Sequence, residues 1–264
     1  MTTGRSDTID REARLVYFPM LSVPASGWLA RQLLYWDRLL VPTPIAVANT
    51  IDEHVDSFTR ELMERGLVAY EFPEHHQDVV HRVSDAFLRA LEKADLDERR
   101  RSMESAPRFG LHEGKTSRDL VEDLATKRLA RRTADDGWWE VERVTAHEYM
   151  AAVSYGIAAE VDAEAVTDSD VAAMAVTGDV DLARVALLGE ALPSPEYFDI
   201  EALESLRAHR DELVAFREET ERYAHLVARA EGPAEAERWR DQFRLRSEDA
   251  ERALLAYMGP HARA

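Results

Sequence analysis

Apolar positions along this chain recur with two different periods, and the alternation between them predicts a layered fold. LVYFP (15–19) is short, β-branched and aromatic and closes on a proline, the composition of a buried strand. In the following WLARQLLYWDRL, Leu29, Leu33 and Trp36 fall at i, i+4 and i+7, one face of a helix that Trp28 and Leu39 extend. LLVPTP (39–44) reads as a second strand, stopped by Pro42 and Pro44. Strand, helix and strand in about thirty residues predict a βαβ unit with parallel strands.

The pattern continues. NTIDEHVDSFTRELMERG predicts a helix capped by Asn49 or Thr50, with Ile51, Val55, Phe58 and Leu62 inward and Gly66 in the C′ position. LVAYEF (67–72) is a third strand, and HQDVVHRVSDAFLRALEKA is amphipathic and helical. SRDLVEDLATKRLARR predicts a further helix, WWEVE (138–142) a strand, and TAHEYMAAVSYGIAAE a helix with an alanine-rich, close-packing face. AVTDSD is expected to return as a short edge strand or a turn.

LPSPEYF (192–198), with two prolines in three residues, marks a boundary. Beyond it a helical pattern carries Leu203, Leu206, Leu213, Phe216, Tyr223 and Leu226 to about Glu231. Gly232-Pro233 breaks it, and a second pattern places Trp239, Phe243, Leu254 and Tyr257 on one face. Two such helices joined by a tight break predict an antiparallel hairpin. The expectation is therefore an α/β domain over 1–190, a small, mostly parallel sheet flanked by helices, followed by a C-terminal helical hairpin over 191–264.

Composition narrows the function. The chain has 264 residues, 45% hydrophobic and 32% charged, enough for a sizeable core. No run approaches the ~20 apolar residues that span a bilayer, and the polar start MTTGRSDTIDREAR lacks a secretory apolar segment. The absence of cysteine excludes disulfides and thiolate metal sites. A cytoplasmic protein of bacterial type is expected, consistent with arginine outnumbering the three lysines Lys93, Lys115 and Lys127. A net charge of −18 repels nucleic acid and anionic membranes over most of the surface. Residues 99–132 depart from that background, with ten basic residues against five acidic ones, and are the one stretch where nucleic acid is conceivable. Such runs are more often solvated helix faces than ligand sites.

Motifs are mostly incomplete. GLHEGKT (110–116) has three residues rather than four before Gly-Lys-Thr, with Phe109 where the loop needs its first glycine. What survives is His112 and Lys115 just ahead of a helix beginning near Ser117, where free N–H groups favour an anion. HEYM (147–150) lacks the second histidine of a zinc helix, Ala151 standing in its place. His75, His76 and His81 are spaced off any single helix face, so a surface cluster is expected of them. No cofactor and no metal are expected. Asp37 is the unusual carboxylate. A negative group near a helix C-terminus in apolar surroundings needs a partner, and its position before a strand favours a structural pin over a catalyst.

Pro19, GWL (27–29), LLYWDRL (33–39) and Pro42, with LHEGK (111–115), WWEV (138–141), TAHEYMAAV (145–153), VTD (166–168), LPSP and LRAHRDELVAFREE (206–219), resemble a bacterial family of the domain of unknown function 6236 type. The resemblance covers most of the chain in matching order and implies a shared fold. It brings no established activity. If those segments mark a site, its positions are Trp36, Asp37, His112, Lys115, Tyr149 and Asp168. The leading expectation is a non-catalytic protein–protein interaction component that binds a protein partner or itself through the C-terminal helices. The alternative is an enzyme acting on a phosphate-containing substrate or nucleic acid, with His112 and Lys115 holding the anion and Asp37 or Asp168 in acid–base or metal roles.

Overall fold

The computed structural model describes residues 13–169, 183, 184, 187, 200–207 and 210–258. The chain forms two compact units, one made of Met1–Ser22 and Trp36–Ala175, the other of Val23–Tyr35 and Val176–Ala264. The helix read as the crossover between the first two strands thus belongs to the second unit. The expected boundaries at 190 and at LPSPEYF lie outside the described residues.

In the first unit, β1 (Arg14–Tyr17), β2 (Arg38–Pro42), β3 (Val68–Glu71) and β7 (Glu164–Val166) form a wholly parallel sheet in the order β3-β2-β1-β7. Arg14 pairs with Arg38, Leu39 with Val68 and Leu15 with Glu164. Leu15, Val16, Tyr17, Leu39, Leu40 and Val41 are buried in succession, as expected of strands covered on both faces. AVTDSD does return as an edge strand. Helix α7 (Arg143–Val161) packs on this sheet, where Ala158 joins the core of Val16 and Leu40. Its alanine-rich face lets α4 (Gln77–Leu91) approach closely: a Cβ added at Gly156 would stand 2.6 Å from the Val79 side chain. Glu142 starts α7, accepting hydrogen bonds from the Thr145 N–H and hydroxyl, both at 2.8 Å.

Three local expectations change. A short α2 (Ile45–Ala48) comes first, and the helix expected from Asn49 is divided into a 3-10 turn (Ile51–Glu53) and α3 (Ser57–Glu64), because Asp56 caps α3 by accepting from the Thr59 N–H at 2.7 Å. Gly66, at φ +72°, then ends the segment as read. LVEDLATKRLARR does not run as one helix: α6 (Arg118–Thr126) stops at Lys127, Arg128 takes φ 61°, and β5 (Ala130–Arg132) follows. A left-handed arginine carries none of the glycine signal that usually marks a helix end. β4 (Phe109–His112) and β6 (Trp138–Val141) join β5 in a second, antiparallel sheet of order β4-β6-β5. The remaining helix of this unit is α5 (Asp97–Ser105).

In the second unit, α1 (Gly27–Tyr35) lies with α8 (Ile200–Arg207), α9 (Arg210–Ala228) and α10 (Pro233–Met258). Pro233 is the first residue of α10, where its missing N–H costs nothing, and α9 and α10 pack as the expected hairpin. Leu29, Leu33, Leu203, Phe216, Tyr223 and Phe243 are buried within this unit. Tyr35 meets Phe216 edge-on at 6.4 Å and Tyr223 meets Phe243 at 5.7 Å. Tyr35 also donates to Glu221 at 2.6 Å, and Arg184 grips both oxygens of that carboxylate.

Candidate functional site

The six positions marked in the sequence fall in three places. Asp37 lies between α1 and β2 rather than inside a helix, and its tie runs from strand to strand. Its carboxylate accepts from the Ala13 N–H and its own N–H donates to the Ala13 carbonyl, each at 2.8 Å. That two-sided clasp closes the N-terminal end of the β1–β2 pair, a structural pin. Trp36 is its neighbour, half-buried. Asp168 sits beyond β7 and accepts from Tyr17 OH at 2.8 Å. Burial, then the Asp168 charge, push the Tyr17 hydroxyl pKa upward. The strand order reverses between β1 and β7, so this bond spans the crevice where open parallel sheets usually hold ligands. Tyr17 and Asp168 spend their polar atoms on each other there.

His112, Lys115 and Tyr149 do come together. β4 ends at His112, a 3-10 turn carries Glu113–Lys115, and Ser117 caps α6. Tyr149, wholly buried on α7, donates to the Lys115 carbonyl at 3.0 Å, with Ser84 of α4 3.1 Å from the same hydroxyl. His112 accepts from the Gly114 N–H through Nδ1 at 3.0 Å, which leaves the proton on Nε2. Burial lowers the His112 pKa, more than offsetting the neighbouring carboxylates Glu113 and Glu74. Its Nε2 side rests on Gly137, at φ +76°, where an added Cβ would come within 2.7 Å of the ring. His112 and Tyr149 therefore act on the backbone of the turn. They position Lys115.

Lys115 itself is 5% exposed. Its ammonium has no hydrogen-bond or ion-pair partner among the described residues. Burial lowers its pKa to about 7, with the Glu74 charge opposing that shift. Glu74 follows β3 by three residues and packs against the same turn: an added Cβ at Gly114 would lie 2.6 Å from Glu74 Oε1 and 2.9 Å from Pro44. Oε1 accepts from the Ile45 N–H at 3.0 Å, while Oε2 is buried with no hydrogen-bond partner. A buried lysine whose amine has no described partner and a buried, unsatisfied carboxylate oxygen stand at the C-terminal ends of β2 and β3. Asp37 is at the opposite end of β2, roughly 20 Å away at 3.3 Å per residue. Asp168 lies three strand spacings from β3, about 14 Å.

Glu74 is absent from the sequence candidates, although its place just after a parallel strand is the signal that finds it. His76 departs from the expected surface cluster. It is buried, held by Glu71 at 2.8 Å and Glu160 at 3.0 Å, while His75 and His81 are exposed. Burial opposes its charge, but the two carboxylate hydrogen bonds prevail and raise its pKa. Glu74, His76, Asp78 and Glu160 line an open cleft of about 280 Å³. No group of His, Asp or Glu among the described residues is arranged to hold a metal ion.

The basic stretch 99–132 is largely neutralised. Arg99 pairs with Glu148, Arg100 with Asp97, Arg108 and Arg131 with Glu140, Arg118 with Glu122, Lys127 with Asp123 and Arg132 with Asp136. Among the described residues, no helix is long and apolar enough to cross a membrane. No protein-family model, curated protein or solved structure matches the chain.

Proposed function

We propose that the protein is an enzyme acting on a small molecule, with Lys115 as its reacting amine and Glu74 as the adjacent acid–base group. One observation carries this reading: the Lys115 side chain is buried with no hydrogen-bond or ion-pair partner for its amine among the described residues, and the nearby Glu74 Oε2 is buried without one, a costly arrangement that a purely structural site has no reason to keep. A lysine with a pKa near neutrality is available as base or nucleophile at pH 7, which an ordinary lysine is not.

A phosphate-bearing substrate, expected from His112 and Lys115, is less well supported. The one N–H that His112 could donate is on the Nε2 side, which rests on Gly137, and Glu74 would repel the phosphate. The interaction reading through the tail has less to work with as well, since Phe216, Tyr223 and Phe243 are consumed within their own unit. Leu245, 70% exposed, is the described exception.

The test uses the scarcity of lysine. Acylation by a water-soluble anhydride over pH 6–10, followed by peptide mass spectrometry, compares Lys115 with Lys93 and Lys127 in one sample. Lys115 is expected to titrate near pH 7 and to dominate labelling below pH 8. Titration of Lys115 near 10.5, in step with the other two, overturns the reading.

A further inference from the structure

Polar groups in three parts of the first unit are candidates for chemistry beyond folding. They are the Tyr17–Asp168 bond at the sheet's switch point, the His76 cleft, and the Lys115–Glu74 pair. The first is closed by its own hydrogen bond, and the second spends both ring nitrogens on Glu71 and Glu160. Of these, only the third includes a buried atom without a partner among the described residues, Glu74 Oε2.

We infer that Lys115 is an imine-forming lysine and that the natural substrate is an aldehyde or ketone. The inference rests on the reading of Lys115 as the reacting amine and names the class of molecule it reacts with. Four observations converge on it. The amine has no partner among the described residues to surrender before attacking. The turn that carries it is fixed from behind, by Tyr149 on the Lys115 carbonyl and by His112 on the Gly114 N–H, so the backbone does not recoil. Glu74 supplies a carboxylate whose free oxygen, Oε2, is not engaged, while Oε1 is anchored on Ile45. Glu74 also lines the open cleft, beside His76 and Glu160. A neutral carbonyl compound adds no charge beside Glu74, in contrast to a phosphate.

The chemistry balances without an oxidant or a metal. The lone pair of the neutral Lys115 Nζ attacks the carbonyl carbon, and the π pair moves to oxygen, which takes a proton. One N–H proton passes to Glu74, giving a carbinolamine and a protonated carboxyl. Glu74 returns that proton to the departing hydroxyl, which leaves as water while the C=N bond forms. The second N–H proton goes to solvent. The sum is one carbonyl compound and one amine giving one imine and one water. Burial favours the neutral amine the first step needs, and exclusion of bulk water protects the imine from hydrolysis.

The experiment treats the full chain at pH 7.5 with pyridoxal as a generic aldehyde, traps imines with borohydride, and maps adducts by mass spectrometry. Adduct at Lys115 is expected to exceed that at Lys93 and Lys127 at least ten-fold, and Glu74→Gln is expected to slow trapping at Lys115 about ten-fold. Because the main comparison is made within wild-type protein, it does not depend on a variant folding. If acylation shows a Lys115 that titrates near 7 while borohydride traps no excess of adduct there, the imine is overturned and the amine acts as a base. If Lys115 acylates like the other lysines, the reading beneath it fails instead.

Discussion

Lys115 in one unit and Arg184 in the other are both buried near a glutamate, and the two arrangements are built in opposite ways. In the helical unit Arg184 donates to both oxygens of Glu221, and Tyr35 donates to the same carboxylate. Every charged atom has its counterpart. Burial raises the Glu221 pKa, but the arginine outweighs it and the carboxyl is held below its ordinary range. In the sheet unit Glu74 packs against the turn that carries Lys115 and acts on its charge, yet the amine bonds to nothing described and one carboxylate oxygen is unsatisfied. The first arrangement is what holding a fold together requires. The second costs stability, and sites that react or bind are where such costs persist.

The largest effect expected separates the two directly. Lys115→Met removes a buried charge and fits the same volume. It should stabilise the protein by about 2–4 kcal/mol at pH 7, some 5–15 °C in Tm, given a folded pKa of about 7 against about 10.4 unfolded. The unfolded chain binds more protons between those values, so stability of the wild type rises with pH across them. The advantage of Lys115→Met is therefore full below pH 7 and fades towards pH 10.5, which thermal melts across that range will read. A lower Tm for the variant would mean that the amine has a structural partner.

The converse variant should go the other way. Arg184→Ala strands Glu221 and removes two of the three described hydrogen bonds to its carboxylate. A loss of about 2–3 kcal/mol is expected, towards the low end for a buried pair because the Glu221 side chain keeps 35% of its exposure. Urea denaturation measures it. No loss would place Arg184 among dispensable surface ion pairs. The smallest effect is expected at Asp37→Asn, which weakens one charge-assisted bond to the Ala13 N–H while keeping an acceptor, about 0.5–1 kcal/mol. Lys115 labelling should be unchanged in that variant. A change would link the two ends of β2 in a way the hydrogen bonds do not.

Much of the fold was legible because it rests on local periodicity. Consecutive buried strands with proline stops, Gly66 in the C′ position and the Gly232-Pro233 break all act through neighbours in the chain, and they stand where the pattern put them. That Asp37 needs a partner was legible, and the partner proved to be the backbone of the adjoining strand. The misses have a common cause as well. β5 was hidden because Arg128 adopts a left-handed conformation without the glycine that usually announces it. Glu74 was passed over because its one mark, a place just after β3, says nothing of the lysine 41 positions away that it comes to face, in a chain with 51 acidic residues.

By itself, then, the sequence determined the elements, the parallel sheet and the hairpin, since hydrophobic period, caps and breakers are written into short stretches of chain. It also brought His112, Lys115 and Tyr149 forward together. Only the tertiary structure decided that Trp36, Asp37 and Asp168 stand elsewhere, and that the first helix belongs with the tail. It alone set Glu74 against Lys115 across 41 positions of chain. Whether a charge is satisfied depends on what lies within a few ångströms in space, and that distance is a property of the packed chain rather than of its order.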